Sequence, residues 1–264
     1  MKHIKPYKIF ESASPNFPTT REEVMQVCEK YEIRYYTIND DLSIDVDGGV
    51  NLAYKNLEHL PLKFNYVSSN FVCSDNKLKT LEGCPQTVSG SFYCYDNELE
   101  SLEGCPQTVS GSFDCDHNKL VSLEGCPQTV SGSFDCGYNE LKTLEGSPQT
   151  VSGNFSCYGN ELVSLEGGLQ TVGGYFDCSF NKLKDLEHFP EVGDGIIIVE
   201  NKVNLLVHTF IETADSFMIE DFVDYEILRN KDTVMLDRLQ TFIRDNDLEM
   251  PDLEDIKKHY KIIE

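Results

Sequence analysis

The side chains of this 264-residue chain best suited to chemistry are ten cysteines, thirteen tyrosines and six histidines. The cysteines fall in ranks. Cys73, Cys94, Cys115, Cys136, Cys157 and Cys178 recur every 21 residues, and Cys84, Cys105 and Cys126 form a second rank. Disulfides are one chemistry such spacing brings to mind. Like residues on stacked coils lie about 4.8 Å apart, near enough in Cα distance, but their side chains run parallel rather than toward each other. Zinc is another, and it asks for paired ligands of the CxxC kind, which the chain lacks. The expectation is therefore buried free thiols filling small apolar slots, in a reducing, cytoplasmic setting, with no metal and no cofactor.

Other catalytic signatures are missing as well. There is no P-loop, no GxSxG, no HExxH, no dinucleotide-binding glycine fingerprint and no complete EF-hand loop. Asp45 and Asp47 ahead of Gly48-Gly49 have the start of a calcium loop without its later ligands, so a turn is expected there. The histidines are scattered, and His117 is expected to be exposed. No catalytic residues are assigned, and an enzyme is not expected.

What must position the cysteines is a repeat. Phe71, Phe92, Phe113, Phe134, Phe155 and Phe176 keep the same 21-residue step, as do Asn76 through Asn181 and Leu78 through Leu183, giving F-x-C-x-x-N-x-L-x-x-L in each unit. Alternation at Phe113 and Cys115 marks a short strand with one buried face. Asn118 then turns the chain while its amide serves backbone groups, and Leu120 and Leu123 point inward. The segment GCPQTVSG is too short and too rich in Gly and Pro for a regular helix, so the return side should be extended or polyproline-like. One coil cannot bury its Phe, Cys and two Leu alone, whereas stacked coils can. The implied fold is a parallel β-solenoid of about eight coils.

With Phe and Cys inward, the residues between them face out, on what should be the concave side. Tyrosine and aspartate dominate there. Tyr93, Tyr95, Asp114, Asp116, Asp135, Tyr138, Tyr158, Asp177 and Phe180 are the candidate partner-binding residues. Tyrosine offers contact area at low entropic cost, and carboxylates steer a cationic partner. The plainer reading, that these residues only keep the repeat soluble and well paired, stays open.

The flanks read as caps. Residues 1–41 form an N-terminal unit: an arm to about 15, a helix over about 20–31 opened by the capping-box pattern Thr20-Arg21-Glu22-Glu23, and a short strand at Arg34–Ile38, with a second strand at Leu42–Val46 leading into the array. The array spans 42–203, beginning with a degenerate coil at Val50, Leu52, Leu57 and Leu60 and eroding through Pro190, Val192, Ile196, Ile198, Asn201 and Val203. Residues 204–264 should be a helical C-terminal cap. One helix is expected around Phe217, Phe222 and Val223. A second, N-capped by Asp232, carries Met235, Leu236, Leu239, Phe242 and Ile243, and a short last one carries Leu253, Ile256 and Tyr260. Net charge is −23, divided as about −1, −14 and −8 over the three segments. That balance disfavours direct nucleic-acid or membrane binding and suits a basic protein partner. No stretch has signal-peptide or transmembrane character.

The tandem LEGCP-x-x-V-x-G-x-F-x-C-x-x-N-x-L units, over about residues 42–203, resemble leucine-rich repeat proteins of bacteria and tailed bacteriophages. The flanking FPTTREEVMQVCEKYEIRYYTINDDLSIDVDGGVNL and VMLDRLQTFIRDN resemble flanks seen with such arrays. The resemblance implies a non-enzymatic interaction scaffold, a monomer in the host cytoplasm if phage-encoded, binding a host or bacterial protein. Two other expectations stand beside it: an acidic DNA-mimic decoy that inhibits a nucleic-acid-binding protein, and a structural or assembly component of a phage, a rod about 34 Å long at about 4.8 Å per coil. Bacterial effectors that join similar repeats to a ubiquitin-ligase domain need a catalytic Cys in a helical domain, and no Cys follows residue 203.

Overall fold

A computed structural model describes residues 16–183, 188–198, 201, 228–230, 233–245, 250–259 and 261–263. The expected arm at 1–15, Val203, the tail helix around Phe217, Phe222 and Val223, the Asp232 cap and Tyr260 lie outside them.

The chain is a parallel β-solenoid. One sheet has eight strands, one from each coil, running from Val50–Asn51 at one edge to Gly195–Ile197 at the other. Register follows the sequence period: Phe113 pairs with Phe92 and Phe134, and Phe134 with Phe155. The last step is one residue shorter, Phe176 against Ile196. The Thr-Val dipeptides of the return side are extended as expected, and they also pair in parallel, Thr87 with Thr108 and Thr150 with Thr171. The return strands form two sheets, one ending at Thr108–Val109 and one running from Thr129–Val130 to Glu191–Val192, and together they face the eight-stranded sheet across one core.

That core is built of files. Phe71, Phe92, Phe113, Phe134, Phe155 and Phe176 are fully buried, with successive ring centroids 5.1 to 5.8 Å apart. The Cys and Leu files are buried beside them. Asn118 shows why asparagine holds its place: Oδ1 accepts the Leu99 N–H of the preceding coil, and Nδ2 donates to the Cys94, Cys115 and Asp116 carbonyls. Asn97, Asn139, Asn160 and Asn181 repeat this. Each amide ties its own turn to the coil before it, satisfying backbone groups that a turn leaves unpaired.

At the N-terminal end, helix α1 (Arg21–Lys30) carries the expected capping box, the Thr20 hydroxyl accepting from Glu23 N–H and the Glu23 carboxylate accepting from Thr20 N–H. It buries Val24 and Cys28. Strand β1 (Tyr36–Ile38) pairs antiparallel with β2 (Ile44–Val46), and β2 pairs in parallel with the first return strand, Phe64–Val67. The front unit therefore covers the end of the first return-side sheet, and within that unit the Arg21 guanidinium ties α1 to β1 by donating to the Ile38 carbonyl at 2.9 Å.

The tail departs from the all-helical expectation. Helices α2 (Leu236–Asp245) and α3 (Leu253–His259) form where helical periodicity placed them, α2 burying Leu239, Phe242 and Ile243. Beside them lies a three-stranded sheet of Leu228–Asn230, Thr233–Met235 and Lys261–Ile263, the last two parallel. Met235, read as helical, is a strand residue. Strands of three residues leave too little alternation to be separated from an adjoining helical pattern.

Candidate functional site

The outward face of the eight-stranded sheet is organised as three files. The first, between Phe and Cys, reads Asn51, Val72, Tyr93, Asp114, Asp135, Ser156, Asp177 and Ile197. The second, after Cys, reads Ala53, Ser74, Tyr95, Asp116, Gly137, Tyr158 and Ser179. The third sits where the strand ends and the chain must swing Asn inward, which forces left-handed backbone: Tyr54, Asp75, Asp96, His117, Tyr138, Gly159 and Phe180 all have positive φ, between 47° and 68°. None of the three files contains Lys or Arg.

All nine sequence-predicted residues lie on this face, and the structure divides them into groups. Tyr138, Tyr158 and Phe180 form a continuous aromatic lane, with ring centroids 5.1 Å apart for Tyr138–Tyr158 and 4.9 Å for Tyr158–Phe180. His117, expected only to be exposed, extends the lane with its ring 4.2 Å from Tyr138, while its Nδ1 lies 2.9 Å from the Asp116 carboxylate. Gly159 makes room for the lane, since a Cβ there would stand 3.1 Å from Tyr138 Cδ1. The hydrogen bond between the Tyr138 and Tyr158 phenols pushes the Tyr158 pKa up. Tyr93 and Tyr95 form a separate edge-to-face pair 6.4 Å apart.

Alongside the lane, in the first file, runs the carboxylate row. Asp114, Asp135 and Asp177 each accept the backbone N–H two residues on, at 3.2, 2.9 and 2.9 Å. Burial, then the charges of Asp116 and Asp135, push Asp114 up to about 7. Burial also raises Asp135. Asp114 and Asp135 are thus held at a desolvation cost that a cation would relieve.

The face also carries Tyr54 and Asp75, which the nine candidates do not include, and Asp96, which the periodicity places on this face although it is not among the nine. Tyr54 stands 21 residues before Asp75, in step with the register that already linked Val50 to Phe71, so the signal was present. The degenerate first coil hid it.

Elsewhere the chemistry is structural. All ten cysteines are free and buried, and burial pushes Cys105 up to about 12 and Cys28 up to about 11. Cys105, Cys115 and Cys136 thiols donate to carbonyls of the next coil at 3.1 to 3.3 Å. Asp45 accepts from the Asn39 and Asn65 amides and Asp47 from Ser68, so both serve as braces between segments. Among the described residues no group of His, Cys, Asp and Glu is arranged to hold a metal ion, and no helix is long and apolar enough to cross a membrane. An open hollow of about 830 Å³ lies away from this face, on the N-terminal unit, lined by Met25, Cys28, Ile33, Tyr35 and Tyr36 with Glu22, Glu29 and Glu32.

No protein-family model matches the chain, and no curated protein matches it.

Proposed function

We propose that the outward face of the eight-stranded sheet is a docking strip, and that the protein is a non-enzymatic scaffold of the leucine-rich repeat type, binding a basic protein of bacterial or host origin in a reducing cytoplasm. The observation carrying this reading is the aromatic lane His117–Tyr138–Tyr158–Phe180. Tyr138 and Phe180 occupy left-handed backbone at φ 47° and 54°, and they are 49% and 48% exposed. Bulky residues are rare in that conformation and are tolerated at a cost. Folding would be served better by Gly, as at position 159, or by Asp, as at 75 and 96. Large rings held on strained, exposed backbone are suited to contact with a partner.

The carboxylate row supplies the charge side. Its desolvated acids, with no Lys or Arg in the three files, favour cationic groups over anions. A DNA decoy is less well supported, because a mimic of phosphates needs evenly repeated acids, and the row is interrupted by Ser156.

The test is affinity capture from a bacterial lysate at rising salt, with parent protein, a Tyr138→Ala/Tyr158→Ala variant and a Thr108→Ala/Thr129→Ala variant of the return side. A partner kept by the parent and the threonine variant but lost from the tyrosine variant supports the docking strip. A partner displaced by duplex DNA and indifferent to the tyrosines points to the decoy, and capture unaffected by either variant contradicts the assignment of this face.

A further inference from the structure

At the N-terminal end of the strip, away from the aromatic lane, two polar atoms are buried without a hydrogen-bond partner: Ser74 Oγ and Asp75 Oδ2. Ser74 is 0% exposed although it belongs to the outward second file, between Ala53 of the coil before and Tyr95 of the coil after. A buried acceptor without a donor is a standing cost, and a folded chain retains few of them. Here two occur on adjacent residues and on the same face.

Around them stand phenols and carboxylates. Tyr54 precedes Asp75 in the left-handed third file and Asp96 follows it. The Asp75 charge beside the Tyr54 phenol and the hydrogen bond between these two side chains push the phenol's pKa up, and burial and the Tyr95 and Asp96 groups act in the same direction. Of the Asp75 carboxylate it is therefore Oδ2 that lacks a partner. Tyr95 packs edge-to-face on Tyr93. Tyr54 is 77% exposed, so its ring is the part of this cluster free to swing aside.

We propose that Tyr54, Ser74, Asp75, Tyr95 and Asp96 form a receptor for a guanidinium group, an arginine side chain presented by the partner of the docking strip. The claim that the arginine belongs to that partner rests on the docking reading; the receptor itself rests on the buried acceptors. A guanidinium is planar, carries five donors in a fixed fork and stacks on aromatic rings. It can donate to Ser74 Oγ and Asp75 Oδ2 together while its face lies against a tyrosine and Asp96 balances the charge. An ammonium is a compact, strongly hydrated point charge without a planar face, and it fits two adjacent acceptors between rings less well. A divalent ion is disfavoured, since the cluster does not assemble three ligating carboxylate, His or Cys groups.

The experiment titrates the full chain with Nα-acetyl-arginine amide and, separately, Nα-acetyl-lysine amide, following tyrosine ring resonances by NMR. The receptor predicts that arginine shifts Tyr54 and Tyr95 signals and binds at least about threefold more tightly than lysine. Asp75→Asn keeps a residue suited to left-handed backbone and should weaken arginine binding about tenfold. Ser74→Ala should weaken it severalfold, and Tyr158→Ala should leave it unchanged. Equal binding of lysine, shifts confined to Tyr138 and Tyr158, or an Asp75→Asn variant that binds as the parent does would overturn the receptor. A partner captured through the aromatic lane yet indifferent to Asp75→Asn sinks the receptor and leaves the docking strip standing. Arginine bound here with no protein partner for the strip does the reverse.

Discussion

Asn118 Nδ2 donates to the Cys94 carbonyl at 3.1 Å, reaching back one full coil, while Asn118 Oδ1 accepts the Leu99 N–H at 3.0 Å. One amide thus stitches two coils on both its polar atoms. Replacement by Ala leaves buried backbone groups of both coils unpaired. Asn118→Ala should therefore destabilise by about 1 to 3 kcal/mol. The check is the urea midpoint, and an unchanged midpoint contradicts the stitching role.

All ten cysteines are buried, and burial raises the pKa of those at Cys94, Cys115, Cys136, Cys157 and Cys178 well above the ordinary thiol range. A thiol reagent attacks the thiolate, and here both access and ionisation are withheld. Native protein should react with no cysteine on the timescale of mixing, and all ten should react after denaturation. Rapid labelling of several thiols in the native state would show coils that open freely.

The periodicity made the core legible. Phe113, Cys115, Asn118 and Leu120 each sit at a fixed place in the coil because each has one physical job there, and a 21-residue step exposes that job six times over. The parallel pairing of the Thr-Val segments went unread because extended backbone alone does not announce a partner strand. In the tail nothing repeats: the strand Thr233–Met235 finds its parallel partner only at Lys261–Ile263, beyond two helices. The candidate face was legible as a set of outward residues. Its division into a lane, a carboxylate row and an end cluster depended on ring contacts across coils, such as His117 on Tyr138, that spacing does not encode.

Asp114 gives a pH test with a definite sign. Its folded pKa, about 7, lies above the ordinary carboxylate value, chiefly through burial. The folded state therefore holds its proton more tightly than the unfolded chain does. Stability contributed by protonated Asp114 is fully present below about pH 4 and is lost as pH rises through about 7. Asp114→Asn should melt higher than the parent at pH 8, with the gain shrinking toward zero near pH 4. A gain that is constant with pH, or that grows on acidification, contradicts a desolvated carboxyl at this position.

Tyr138 separates stability from function. Tyr138→Gly removes a bulky residue from φ 47° and loses ring contacts with His117 and Tyr158. Relief of strain offsets lost packing, so the variant should stay within about 1 kcal/mol of the parent in denaturant unfolding. Its partner binding should nonetheless fall. A large loss of stability would mean that the ring is retained for folding.

The central claim is that binding resides on the eight-stranded sheet and not on the return side, and calorimetric titration of the captured partner tests it most directly. Tyr138→Ala/Tyr158→Ala/Phe180→Ala, on the eight-stranded sheet, should lower affinity by about a hundredfold or more. Thr108→Ala/Thr129→Ala/Thr150→Ala, on the return side, should stay within about threefold of the parent. The reverse pattern, or equal losses from both sets in variants that remain folded, would contradict the account.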